Sequence, residues 1–151
     1  MTTRFETVDD ILGQLLDFHQ ALIDYYQRRA SSDRDERLRM LADYLVERQQ
    51  RVAAGTEGYR KDADTSRRET WFDKVPDLDP LPALRKAMAA TDADQLLNAA
   101  LELDRHLLGI YDVMRREASH GELHALFEDL HSQLEQEQRL LATSAARMRD
   151  L

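Results

Sequence analysis

Apolar residues recur along the chain in alternating steps of three and four, which is the spacing of one face of an α-helix. Four stretches follow this period: Val8, Leu12, Leu15, Leu22 and Tyr26; Leu38, Leu41, Leu45 and Val52; Leu97, Ala100, Leu107, Tyr111 and Met114; and Leu123, Phe127, Leu130, Leu134, Leu141 and Met148. The pattern predicts four amphipathic helices of about 25 residues, each roughly 35–40 Å long. These are the dimensions of a four-helix bundle.

Side chains that cap helix N-termini indicate where these helices start. Oxygen-bearing residues followed by acids in the first turn stand at Thr7, at Ser32 and Asp33, at Thr91 and at Ser119. The last of these begins a Ser-x-x-Glu capping box. We therefore expect the four helices to start directly after these residues.

The connections between the predicted helices differ in length. The first and second helices are joined by a few residues near Ala30–Asp33, and the third and fourth near Ser119. A crossover from about residue 61 to 81 separates the second and third helices and contains Trp71 and Phe72. We expect these aromatic side chains to pin the crossover to the bundle, and residues 82–90 to form a short helical lead-in. The prediction is an all-α single domain over residues 1–151, with two helical hairpins joined by one long crossover.

Composition narrows the class of protein. The 151 residues are 42% hydrophobic and 33% charged, with no cysteine and a formal net charge of −8. An acidic chain lacks the concentrated basic face that nucleic acid binding needs. No apolar run approaches the length of a membrane span, and the N-terminus carries no signal-peptide core. We expect a cytoplasmic protein that binds neither nucleic acid nor membrane.

Each predicted helix places one polar side chain near the middle of its inward face. These residues are His19, Arg48, Asp104 and Glu137. Because an unpaired buried charge is very costly, four such groups, one from each helix, predict a shared polar layer. Arg51, one turn after Arg48, can join this layer.

Two stretches of the chain carry a resemblance to a known family. The segment from Ala100 through Asp104 to Tyr111, and the segment Leu126–Leu130, resemble the third and fourth helices of the ferritin-like superfamily, in particular its rubrerythrin and bacterioferritin branch. In that family the first and third helices each carry a Glu seven residues before a Tyr. The second and fourth helices each carry Glu-x-x-His, and the four helices together hold two metal ions. The resemblance implies a bundle with a metal centre in its core.

The chain departs from this pattern at most ligand positions. The family's ligand positions fall on His19, on Asp104, on Leu134 and Glu137, and in the second helix on either Arg48 and Arg51 or, shifted by one residue, Glu47 and Gln50. A shift of one residue turns Glu47 about 100° away from the inward face, which favours the arginines. An arginine cannot deprotonate and brings a fixed positive charge to the place of the metals. We therefore predict ion pairs in place of the metals and no cofactor.

Further candidate groups follow from the resemblance and from spacing. If the shifted register holds, the resemblance implies that iron or manganese is bound by His19, Glu47, Asp104 and Glu137. Tyr26 and Tyr111, each seven residues after a layer position, are expected to reach a pocket beside the layer. On the fourth helix Glu128 and His131 form a literal Glu-x-x-His on a solvated face, and His120, His124 and His131 are spaced for adventitious metal binding or a subunit interface.

The predicted function is a non-catalytic ferritin-like binding or stress-associated interaction module. We expect a homodimer formed through an apolar flank of Leu16, Ile23, Leu103 and Ile110, with another protein or a small anionic ligand as partner. Two alternatives stay open: a divergent di-iron or di-manganese oxidoreductase or peroxidase, and an iron-storage cage of many subunits.

Overall fold

The computed structural model describes residues 6–62, 71–72, 81–118 and 121–149. In chain order the elements are β1 (Glu6–Thr7), α1 (Val8–Ser32), α2 (Glu36–Asp62), β2 (Trp71–Phe72), α3 (Leu81–Ala89), α4 (Ala93–Glu117) and α5 (Gly121–Arg149). The described residues are almost entirely helical, so the all-α class is confirmed. The two short strands pair antiparallel, with Glu6 opposite Phe72 and Thr7 opposite Trp71.

The N-terminus of α1 is the one that its capping residue predicted. The Thr7 hydroxyl accepts a hydrogen bond from the Asp10 amide at 3.1 Å, and the Asp10 carboxylate accepts one from the Thr7 amide at 3.2 Å. This reciprocal capping box satisfies two amides that the helix itself leaves unpaired.

The start of α2 lies further along the chain than predicted. Ser32 is the last residue of α1, and Asp33 is its C-cap, with an amide that donates to the Arg29 carbonyl at 3.1 Å. The Asp35 carboxylate accepts hydrogen bonds from the amides of Arg37 and Leu38 at 2.9 and 3.3 Å. The prediction of Ser32 and Asp33 as caps was wrong because a third oxygen side chain follows them.

The start of α4 also differs from the prediction, by one residue. Asp92, not Thr91, caps α4 by accepting from the Gln95 amide at 2.8 Å, while the Thr91 amide donates to the Gln95 side chain. The predicted cap at Ser119 lies outside the described residues. The short lead-in helix expected over 82–90 is α3.

The four long helices share two apolar clusters, one towards each end. The first contains Ile11, Leu15, Val52, Phe72, Leu107, Tyr111, Phe127 and Leu134, among others. The second contains Leu22, Tyr26, Leu38, Leu45, Ala100, Leu103, Leu141 and Ala145, among others. Helix α1 packs along α2, α4 packs along α5, and α2 also contacts both α4 and α5. These contacts position the polar residues that lie between the two clusters.

The connections are anchored at two described points. The Phe72 ring is buried and meets the Phe127 ring edge-on at 5.9 Å between centroids, so the crossover is attached to the first cluster. Helix α3 is held against α1, because the Tyr25 hydroxyl donates to the Ala87 carbonyl and the Arg29 guanidinium donates to the Ala90 carbonyl at 2.6 Å. Residues 63–70 and 73–80 of the predicted crossover lie outside the described ranges.

The prediction of an exposed apolar flank for a homodimer is wrong at three of its four residues. Ile23, Leu103 and Ile110 are buried within the single chain, and Leu16 is half-buried. Helix α4 contacts α2, α3 and α5, so it buries a wide face and leaves no apolar flank at Leu103 and Ile110. None of the described helices combines the length and apolar character that crossing a bilayer requires.

Candidate functional site

A layer of polar side chains crosses the core at the boundary between the two apolar clusters. On each long helix the polar residue stands between a residue of one cluster and a residue of the other: His19 between Leu15 and Leu22, Arg48 between Leu45 and Val52, Asp104 between Leu103 and Leu107, and Glu137 between Leu134 and Leu141. We call His19, Arg48, Gln49, Arg51, Asp104 and Glu137 the polar layer. Among the described residues, it contains every buried polar side chain except Thr56.

The centre of the polar layer is an ion pair between α2 and α4. The Arg48 guanidinium donates from Nη2 to Oδ2 of Asp104, and both side chains are 1% exposed. The Nε of Arg48 also lies 3.5 Å from the backbone carbonyl oxygen of Glu137 on α5. Burial raises the pKa of Asp104, and the neighbouring guanidinium opposes that shift. Both side chains are shielded from bulk solvent, and a hydrogen bond between two ionised groups is roughly twice as strong as one between neutral groups.

A second ion pair joins α2 to α5 one turn further along. Arg51 donates from Nε and Nη2 to the two carboxylate oxygens of Glu137 at 2.8 and 2.9 Å. This bidentate pair reaches the surface, because the Arg51 side chain is 44% exposed and that of Glu137 is 8% exposed. The guanidinium also stacks over the Tyr44 ring at 5.9 Å from its centroid.

The third contact of the layer joins α2 to α1. Nδ1 of His19 lies 2.8 Å from the side-chain oxygen of Gln49. Since an amide oxygen only accepts, Nδ1 carries the proton and Nε2 carries the lone pair. Burial, aided by the charge of Arg48 and opposed by the Gln49 hydrogen bond, lowers the pKa of His19 to about 4. The imidazole is therefore neutral at pH 7.

The sequence analysis did not predict Gln49 as a member of the polar layer, although the spacing of residues along α2 indicates that it is buried. Leu45, Gln49, Val52 and Thr56 are separated by steps of four, three and four, as a helical face requires, and all four are buried. Through residues 48, 49 and 51, α2 contacts α4, α1 and α5 in turn. This one turn of α2 therefore connects all four long helices.

The two predicted pocket tyrosines lie next to the layer. Tyr26 and Tyr111 are buried, and burial raises the pKa of both phenols. The charge of Arg48 opposes the shift of Tyr26 and the charge of Asp104 adds to it, whereas for Tyr111 the charge of Asp104 adds to the shift. The Tyr111 hydroxyl and Nε2 of His19 are buried polar atoms without a hydrogen-bond partner among the described residues.

The donors predicted for iron or manganese do not fit a dimetal centre. Glu47 is exposed on α2, whereas the other three members of that set are buried. Arg48 and Arg51 already engage the carboxylates of Asp104 and Glu137. Within the described ranges, no three His, Asp or Glu side chains lie close enough together to hold a metal ion.

The remaining candidates on α5 pair along the helix surface. Nε2 of exposed His124 lies 3.3 Å from a carboxylate oxygen of Glu128, and Nδ1 of His131 lies 3.1 Å from that of Glu135. Glu128 and His131, the literal Glu-x-x-His, thus have different partners. The third histidine of the predicted set, His120, lies outside the described residues.

Comparison of the chain with protein-family models, with curated proteins and with solved structures finds no match. The ferritin-like resemblance therefore remains a prediction that depends on residue spacing.

Proposed function

We propose that this chain is a ferritin-like four-helix bundle in which ion pairs replace the dimetal centre, and that it acts as a non-catalytic binding or stress-associated interaction module. The observation that carries the proposal is the fully buried Arg48–Asp104 pair at the centre of the core. In ferritin-like proteins the equivalent layer is filled by carboxylates and imidazoles that surround two metal ions.

The charges of the polar layer support this replacement. Two guanidinium groups face two carboxylates, and the neutral His19 adds no charge, so the layer is balanced without any added cation. A metal would have to displace an arginine that cannot deprotonate. Desolvation roughly offsets the attraction in such pairs, so their contribution is to the specific arrangement of the helices more than to stability.

The order of the helices supports the ferritin-like part of the proposal. Helices α1 and α2 pack as one pair and α4 and α5 as another, and residues 63–80, between α2 and α3, leave room for a long crossover. Two hairpins with one long connection is the ferritin-like connectivity. The proposed module is a cytoplasmic homodimer whose partner is another protein or a small anionic ligand.

Metal content tests the proposal directly. Protein purified without a histidine tag would be incubated anaerobically with Fe(II), and separately with Mn(II), then desalted and analysed for metal. We expect no stoichiometric metal and an unchanged helical circular dichroism spectrum. About two metals per chain, lost in Asp104→Asn but kept in the exposed control Asp17→Asn, would overturn the proposal and support the oxidoreductase alternative.

Light scattering in solution tests the assembly. The proposal expects a particle of two chains. A very large particle would instead support an iron-storage cage, and a monomer at high concentration would remove the homodimer from the proposal.

A further inference from the structure

One side of α5 carries two histidine–glutamate pairs of identical spacing. His124 and Glu128 are four residues apart, and His131 and Glu135 repeat this spacing further along the helix. In the first pair, Nε2 of the imidazole lies 3.3 Å from a carboxylate oxygen, and in the second pair Nδ1 lies 3.1 Å from one. The two pairs therefore present different ring nitrogens to their carboxylates.

A contact with α4 fixes the position of the proton on the neutral His124 ring. Nδ1 of His124 lies 3.1 Å from the backbone carbonyl oxygen of Arg115, in the last turn of α4. Because a carbonyl oxygen only accepts, Nδ1 carries the proton and Nε2 carries the lone pair. Nε2 and the Glu128 oxygen are then two acceptors 3.3 Å apart. Such a pair is stabilised by a cation between its atoms, which is either a proton or a metal ion.

The separation of these two atoms fits a chelated zinc ion. Zinc lies about 2.0–2.1 Å from an imidazole nitrogen and about 2.0–2.2 Å from a carboxylate oxygen, in tetrahedral geometry. At the tetrahedral angle these bond lengths place the two donor atoms roughly 3.3–3.5 Å apart. The 3.3 Å between Nε2 of His124 and Oε2 of Glu128 lies in this range, whereas the 3.1 Å of the second pair lies below it.

The Arg115 carbonyl supplies the second contact that metal-binding histidines have. A ligating imidazole almost always donates its other N–H to a carbonyl, a carboxylate or water, and this contact fixes the orientation of the ring. His124 has this arrangement. In the second pair, Nδ1 of His131 is itself the atom next to the Glu135 carboxylate. An N–H at that atom donates directly to Glu135, so the second pair needs no added cation.

Solvent access and charge favour the entry of a cation at the first pair. The side chains of His124 and Glu128 are 50% and 54% exposed. The chain as a whole is acidic, with a net charge of −8, which raises the local concentration of cations. Arg115 and Arg116 of the neighbouring α4 turn both pair with Asp112, which offsets part of their charge.

We propose that Nε2 of His124 and the Glu128 carboxylate chelate one divalent transition ion of the zinc type. Among the described residues no third His, Asp or Glu joins them, so water fills the remaining coordination positions. Imidazole is a ligand for zinc, whereas Mg²⁺ and Ca²⁺ take oxygen ligands.

This proposal goes beyond the proposed function and does not rest on it. The proposed function concerns the polar layer, which is tested with Fe(II) and Mn(II). Both ions bind nitrogen and oxygen sites more weakly than zinc does. An ion held by two protein donors is also removed by desalting, so the two experiments report on different sites.

A zinc titration tests whether the site exists. The full-length chain without a histidine tag would be titrated with ZnCl₂, and separately with MgCl₂, by isothermal titration calorimetry at pH 7.5. We expect saturable binding of one zinc ion per chain and no saturable binding of magnesium. The absence of saturable zinc binding, or equal binding of magnesium, would overturn the proposal.

Variants test the two donors. His124→Ala and Glu128→Gln should each weaken zinc binding roughly 10-fold or more. The matched controls are His131→Ala and Glu135→Gln, in the pair of identical spacing, and both should leave the zinc affinity unchanged. Glu128→Gln keeps the contact of His124 with Arg115, so it tests the site even if His124→Ala disturbs the junction of α4 and α5. Unchanged affinity in folded Glu128→Gln, or an equal loss in the controls, would overturn the assignment.

Nitrogen NMR of the imidazole rings tests which atom binds. In the ¹⁵N-labelled chain, zinc should shift the Nε2 resonance of His124, while Nδ1 of the same ring keeps its proton. The ring of His131 should not change. A zinc-dependent loss of the Nδ1 proton of His124, or a larger shift at His131, would place the ion elsewhere and overturn the proposal.

Discussion

Helix α2 carries two arginines one turn apart, and their surroundings differ sharply. Arg48 and its partner Asp104 are each 1% exposed, whereas Arg51 is 44% exposed beside a nearly buried Glu137. The inner pair therefore contributes through what its loss would leave behind, an unpaired charge without water. In the outer pair, Arg51–Glu137, water can solvate the Arg51 guanidinium. The same residue type at adjacent turns of a helix thus has different energetic consequences.

The largest expected effect comes from breaking the inner pair. Asp104→Ala should destabilise the chain by about 3–5 kcal/mol, because it leaves the Arg48 guanidinium buried and unpaired. Urea unfolding followed by circular dichroism measures this loss. The double variant Arg48→Met with Asp104→Leu should recover most of it, since an apolar pair of similar volume strands no charge. A loss below about 1 kcal/mol in Asp104→Ala would show that the pair is hydrated.

The next effect is a dependence of stability on pH that comes from the buried His19 of the polar layer. Its folded pKa of about 4 lies below the ordinary value of 6.5, so below pH 6.5 the unfolded chain binds a proton that the folded chain does not. The stability contributed by the neutral imidazole is complete above pH 6.5 and is lost as pH falls towards 4. The total change is about 3 kcal/mol.

The pKa of Asp104 changes the stability with pH in the opposite direction. Burial raises its folded pKa above 3.8, so its contribution favours folding at low pH and declines as pH rises through the folded pKa.

Because the two shifts oppose each other, the effect of His19 is measured by comparing the unaltered chain with His19→Gln in urea unfolding between pH 4 and 7. The variant should lack the loss of stability between pH 6.5 and 4. Parallel curves for the two proteins would contradict the assignment to His19.

A smaller and asymmetric effect is expected in the outer pair. Glu137→Gln should cost about 1 kcal/mol or less, because the Arg51 guanidinium that loses its partner can be solvated. Arg51→Ala should cost more, since it leaves the Glu137 carboxylate nearly buried without a cation. Unfolding of both variants in low and in 1 M salt checks this order, and salt should reduce the effect of Glu137→Gln most. Equal losses would contradict the asymmetry.

The sequence predicted faces of helices better than it predicted their neighbours. Steps of three and four placed Arg48, Asp104 and Glu137 on inward faces, because the period of the α-helix fixes the direction of a side chain around its own axis. The period does not say which helix lies opposite or how far a face extends. For that reason the exposure of Arg51 and the role of Gln49 were not predicted, and Ile23 was placed at a dimer surface although it is buried.

The errors in the predicted N-cap residues have a different physical cause. Near residues 32–35 and 91–92 several oxygen side chains follow one another, and each is able to cap a helix. Which of these side chains becomes the N-cap depends on the residue at which the preceding helix or turn ends. Asp35 and Asp92 cap α2 and α4 because α1 continues to Ser32 and α3 ends only at Ala89. Local sequence alone does not contain this information.

The smallest expected effect concerns Tyr111, whose hydroxyl has no partner among the described residues although it is buried beside the inner pair. Removing an unpaired buried hydroxyl is neutral or stabilising, so Tyr111→Phe should change stability by between about 0 and +1 kcal/mol. The matched control is Tyr25→Phe, which removes a hydroxyl that donates to the Ala87 carbonyl and accepts from Arg29 at 2.7 Å. That variant should lose about 1 kcal/mol in the same thermal or urea unfolding experiment. A loss of 1 kcal/mol or more in Tyr111→Phe would show that a water molecule bonds this hydroxyl, so that the surroundings of Tyr111 would be hydrated rather than dry.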